Sequence, residues 1–75
     1  MSEWKTIYED EVGMRHVKVD KGNGSLLRAR ILVTGTAIEI EIDAATPGQL
    51  KQRLVEDGEF SEQEASAIIE KVMMR

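Results

Sequence analysis

The side chains best suited to chemistry are five cations in the middle of the chain: Arg15, His16, Lys18, Arg28 and Arg30. Their types favour holding an anion over making bonds, because guanidinium and ammonium groups fix carboxylates and phosphates through charge-assisted hydrogen bonds. Catalysis has little to draw on. With one His and no Cys, the chain lacks the usual pairings of a general base with a nucleophile. His16 falls on the charged side of its segment, where a solvated imidazole is the simplest reading, and we assign no catalytic residue. Glu39, Glu41 and Asp43 recur at every second position and offer oxygen ligands to a hard cation, but the sequence has neither a calcium-loop pattern nor a His-x-x-x-His spacing. We therefore expect no metal and no cofactor. The segment DKGNGS, Asp20 to Ser25, has the glycines of a phosphate loop, but such loops lead into a helix N-terminus, and here a strand follows. It reads as a hairpin loop, and no small-molecule site is evident.

Charge is segregated along the chain. Residues 1–14 carry Lys5 against Glu3, Glu9, Asp10 and Glu11, a balance of −3, and residues 15–30 carry five cations (with Lys21, without His16) against Asp20, a balance of +4. The remainder has four basic and nine acidic groups, a balance of −5, which brings the total to −4. A basic middle between acidic ends suits an anionic partner, or else neutralisation of the middle by the ends within the fold.

The elements that must position these residues are marked by hydrophobic period. From Leu26 to Asp43 two apolar/charged alternations run back to back around Gly35, with Leu27, Ala29, Ile31 and Val33 on one arm and Ile38, Ile40 and Ile42 on the other. This is the pattern of a β-hairpin with one face buried. A turn centred on Thr34 and Gly35 would pair Ile31 with Ile38, Ala29 with Ile40, Arg30 with Glu39 and Arg28 with Glu41. Met14 to Val19 alternates in the same way, with Val17 and Val19 on one side and His16 and Lys18 on the other. Residues 3–12 fit either a strand or one helical face; Trp4, Thr6, Ile7 and Tyr8 favour the strand.

After Asp43 the period changes to about 3.6. Thr46 and Pro47 open a helix, Gln49 completes a capping box, Leu50, Leu54 and Val55 form its apolar side, and Gly58 ends it. Ser61 and Glu64 make a second box, followed by Ala65, Ile68, Ile69, Val72 and Met73 at helical spacing. Glu62 and Glu64 suit the positive end of that helix, and Lys71 and Arg75 its negative end.

The 75 residues thus define a single α+β domain: an antiparallel meander of three to four strands over 1–43 with a C-terminal αα-hairpin over 46–75 packed on one face. No apolar run is long enough for a membrane helix and the acidic N-terminus lacks a signal-peptide core, so we expect a cytoplasmic protein. Function is the least legible property. The expectation is a non-enzymatic protein-binding or regulatory module, engaging a protein partner or a second copy as a homo-oligomer, with Met73 and Met74 as adaptable contact residues. The alternative is single-stranded or duplex nucleic-acid binding through the cations of the open sheet face, should Trp4 and Tyr8 lie among them instead of in the core.

Overall fold

The structure, a computed structural model, describes residues 4–74; the expectations that touch Glu3 and Arg75 lie outside them. Four strands, β1 (Lys5–Val12), β2 (Arg15–Lys21), β3 (Leu27–Val33) and β4 (Glu39–Ala44), precede helices α1 (Pro47–Glu56) and α2 (Glu62–Met73). The strands form one antiparallel sheet in the order β1-β2-β3-β4. Both helices lie on the same face, α1 over β3 and β4 and α2 over β1. The α+β meander with a C-terminal helical hairpin is the observed architecture, and residues 3–12 supply a strand.

Between the layers lie Val17, Val19, Leu27, Ala29, Ile31 and Ile42 from the sheet and Leu50, Leu54, Ala65, Ile68, Ile69 and Val72 from the helices, all buried. The alternations expected from Val17 to Val19 and from Leu27 to Ile31 are present, but the central register differs from the expectation by two residues. Ile31 faces Ile40, Ala29 faces Ile42, Arg30 faces Glu41 and Arg28 faces Asp43. The cause is turn chemistry. A two-residue hairpin turn needs positive φ at both central positions or a Gly at the first, and Thr34-Gly35 satisfies neither, because the β-branched Thr34 resists positive φ. The chain closes a longer loop instead. Val33 N–H donates to the Ile38 carbonyl at 3.2 Å, Gly35 takes φ 83°, and the Thr36 hydroxyl donates to the Val33 carbonyl at 2.9 Å while accepting from Ile38 N–H at 3.2 Å. Ile38, expected to point inward, sits at the loop end and is 58% exposed. The β1–β2 turn shows the contrast: Gly13 occupies the first central position at φ 66°, and two residues suffice.

The helix starts form as expected at Ser61, whose hydroxyl accepts from Glu64 N–H at 3.1 Å while the Glu64 carboxylate accepts from Ser61 N–H at 3.0 Å. Thr46 likewise caps α1 by accepting from Gln49 N–H at 3.1 Å. The Gln49 side chain, however, accepts from Ala45 N–H at 3.0 Å, one residue before the expected partner. Two further corrections concern helix ends. Gly58 does not end α1 through a left-handed backbone; that conformation falls to Glu59, at φ 59°. Gly58 is required for space, since a Cβ there would lie 2.8 Å from the Leu54 carbonyl oxygen and 3.0 Å from Ile31 Cδ1. Met73, expected on the apolar stripe of α2, is 67% exposed.

Candidate functional site

The helices leave the other face of the sheet uncovered, and β-pleat alternation sets its residues in three rows across the four strands. Nearest the β3–β4 loop the row is Glu11, His16, Leu32, Glu39; the middle row is Glu9, Lys18, Arg30, Glu41; the third is Thr6, Asp20, Arg28, Asp43. Of the five cations expected to share a face, the fold brings together His16, Lys18, Arg28 and Arg30. Arg15 does not join them. It has the parity of the buried Val17 and Val19, and its guanidinium lies over the Phe60 ring on the helix side, 4.7 Å from the centroid, donating to the Glu59 carbonyl at 3.1 Å.

In the third row the charges alternate and are satisfied. Thr6 Oγ1 donates to Asp20 Oδ1 at 2.8 Å, and Arg28 Nε donates to Asp43 Oδ1 at 2.9 Å with Glu41 at 3.6 Å. The hydrogen bond from Arg28 holds the Asp43 carboxyl below the usual carboxylate range, and the Asp43 bond in turn holds Arg28 above its ordinary value. Trp4 lies on this row, its ring 4.3 Å from the Arg28 guanidinium carbon.

That placement depends on an irregularity in β1. Thr6 pairs with Asp20 and Tyr8 with the next residue, Val19, so Ile7 is an extra residue in the edge strand. Such a bulge reverses side-chain parity. Thr6 therefore faces out with Asp20, Trp4 continues on that side over Arg28, and Tyr8 is buried in the core. Burial, with the Asp10 charge second, pushes the Tyr8 phenol above its ordinary value. Sequence alternation alone puts the two aromatics on the same side; the bulge separates them.

The middle row is different. Lys18 stands directly opposite Arg30, a like-charge juxtaposition that costs stability. Glu9, which flanks Lys18, is engaged by His16 Nε2 at 2.8 Å, and Glu41, which flanks Arg30, is shared with Arg28 and comes only to 3.7 Å from Arg30 Nε. That Nε is out of water and without a hydrogen-bond acceptor. Among the described residues no carboxylate comes within ion-pair distance of Lys18. A shallow hollow of about 170 Å³ opens here, lined by Glu9, His16, Lys18, Arg30, Leu32 and Glu39.

The two methionines lie elsewhere. Met73 borders an apolar groove of about 280 Å³ with Ile7, Leu27 and Val72, whereas Met74 lies by a separate hollow beside Tyr8 and Lys71. Among the described residues no group of three or more His, Asp or Glu side chains is placed to hold a metal ion; Glu41 and Asp43 turn to Arg28 instead. No helix among them is long and apolar enough to cross a membrane.

Fold and site together define a small α+β domain with one face closed by helices and the other an open ladder of charged rows anchored by one aromatic. Comparison with protein-family models, with curated proteins and with solved structures found no match.

Proposed function

We propose that the protein is a non-enzymatic, cytoplasmic binding module that engages a protein partner through the uncovered face of its sheet. The observation that carries this reading is the Trp4–Arg28 stack. The aromatic ring lies on a guanidinium that is itself held by Asp43, so the pair is arranged before any partner arrives. Trp and Arg are the side chains that most often dominate protein interfaces, and preorganisation lowers the entropic cost of docking. The charge of the face favours a protein over a nucleic acid: Glu9, Glu11, Asp20, Glu39, Glu41 and Asp43 surround Lys18, Arg28 and Arg30, and such a surface repels a phosphate backbone.

The test is retention of a host protein by the immobilised domain, compared between wild type, Trp4→Ala and the helix-side variant Lys51→Ala. Loss of the retained protein with Trp4→Ala alone is expected. A partner that is kept by Trp4→Ala and lost with Lys51→Ala overturns the reading, as does tight, salt-dependent capture of a single-stranded oligonucleotide. Light scattering across concentration tests the second copy as partner: a dimer mass that falls to monomer with Trp4→Ala supports the same face.

A further inference from the structure

The middle row of the outer face specifies the chemistry of what docks there; this inference rests on the protein-binding reading and narrows it. Across the strands the row runs acid, base, base, acid: Glu9, Lys18, Arg30, Glu41. Its two central cations face each other, Arg30 Nε is buried without an acceptor, and Lys18 has no ion pair among the described residues. The hollow they line extends into the neighbouring row, where His16, Leu32 and Glu39 border it, with Glu9 at its far side. The like-charge repulsion is relieved by one carboxylate lying between the Lys18 ammonium and the exposed part of the Arg30 side chain; Nε itself lies out of reach beneath the surface. The outer glutamates set a further condition. A wholly acidic ligand would be repelled by Glu9 and Glu41, so the groups on either side of that carboxylate must be basic.

We propose that the row binds an extended segment of a partner protein with the pattern basic-x-acidic-x-basic, laid across the strands. The spacing agrees. Neighbouring strands lie about 4.8 Å apart, so each outer glutamate is about 7 Å from the midpoint between Lys18 and Arg30, and side chains two residues apart on an extended peptide are also separated by about 7 Å. The central carboxylate then meets Lys18 and Arg30 while its basic neighbours meet Glu9 and Glu41. His16 keeps its contact with Glu9 at one end of the row, and Arg28 stays on Asp43 in the next.

The experiment is an NMR titration of the isotope-labelled domain with the synthetic peptide Lys-Thr-Glu-Thr-Lys, its glutamine analogue Lys-Thr-Gln-Thr-Lys, and the inverted Glu-Thr-Lys-Thr-Glu. Expected are shifts at the Lys18 and Arg30 amides, with the first peptide binding about five- to tenfold more tightly than either other. Lys18→Gln should remove that preference, and Lys18→Glu should transfer it to Lys-Thr-Lys-Thr-Lys, a rescue that a merely misfolded variant would not give. Equal affinity for the glutamate and glutamine peptides, shifts confined to the helix side, or no shifts up to millimolar peptide overturns the proposal. Its failure is separable from that of the wider reading: a partner lost with Trp4→Ala but kept with Lys18→Gln leaves the face standing and removes only this pattern.

Discussion

The ring of Trp4 occupies the space that a side chain on Gly22 would fill: a Cβ there would lie 2.9 Å from Trp4 Cζ3. Gly22 therefore permits the stack on Arg28 by having no side chain. In Gly22→Ala the indole should swing off the guanidinium at small cost, because the clashing atoms are the end of one side chain and not backbone. Fluorescence of the single Trp should shift toward that of a solvated indole, with a stability loss of less than about 1 kcal/mol. An unchanged emission would mean that the ring does not depend on this glycine.

Gly58 and Glu59 make opposite predictions within one turn. A methyl group at Gly58 meets the Leu54 carbonyl and Ile31, neither of which can move cheaply, so Gly58→Ala should destabilise by about 1–3 kcal/mol. Glu59 carries a left-handed backbone that a side chain disfavours. Glu59→Gly should stabilise by about 0.5–1 kcal/mol, the relief of strain being partly offset by the greater freedom of glycine in the unfolded chain. Urea unfolding of both variants decides, and the two changes should have opposite signs.

The hairpin register is tested by a pair of isoleucines. Ile38→Ser should shift the unfolding free energy by less than about 1 kcal/mol, since more than half of that residue is already exposed. Ile42→Ala, in the core opposite Ala29, should cost about 2–4 kcal/mol. Comparable losses at both positions would restore the shorter turn and the register two residues away.

Acid and alkali should act through different groups. Because Arg28 depresses the folded-state pKa of Asp43, that carboxylate stabilises the fold in full above its unfolded value of about 3.9, and the contribution is lost as pH falls through the lower folded value. Melting temperatures from about pH 5 down to about pH 2 should fall less steeply in Asp43→Asn than in wild type. Tyr8 has the opposite sign: its raised folded-state value favours the protonated phenol, so its contribution is whole below about pH 10 and is lost as pH rises through the folded value. Phenolate absorbance should appear above the pH at which a free tyrosine ionises, together with a fall in melting temperature.

The sequence made the layers legible because they depend on local pattern. Val17, Val19, Leu27, Ala29, Ile31 and Ile42 alternate, the stripe from Ala65 to Val72 recurs every three or four residues, and Ser61 with Glu64 marks a helix start; each was expected and each is observed. The register departs from the alternation because Thr34-Gly35 has the composition of a tight turn with the glycine in the wrong position, a signal the sequence carries. The bulge at Ile7 left no such signal, because the residues around it suit a strand in either phase. Within the site, parity alone would have removed Arg15 from the outer face. The cross-strand neighbours that set Lys18 opposite Arg30, and Arg30 beside a Glu41 it shares with Arg28, follow only from the true register.

The extra residue in the first strand has one more effect. By sending the sole indole outward and the sole phenol inward, it gives the molecule two built-in optical reporters on opposite sides of one sheet. Docking at the open side should register in the indole signal while the phenol stays silent, and loosening of the interior should do the reverse, so association and melting can be followed separately in an unlabelled sample.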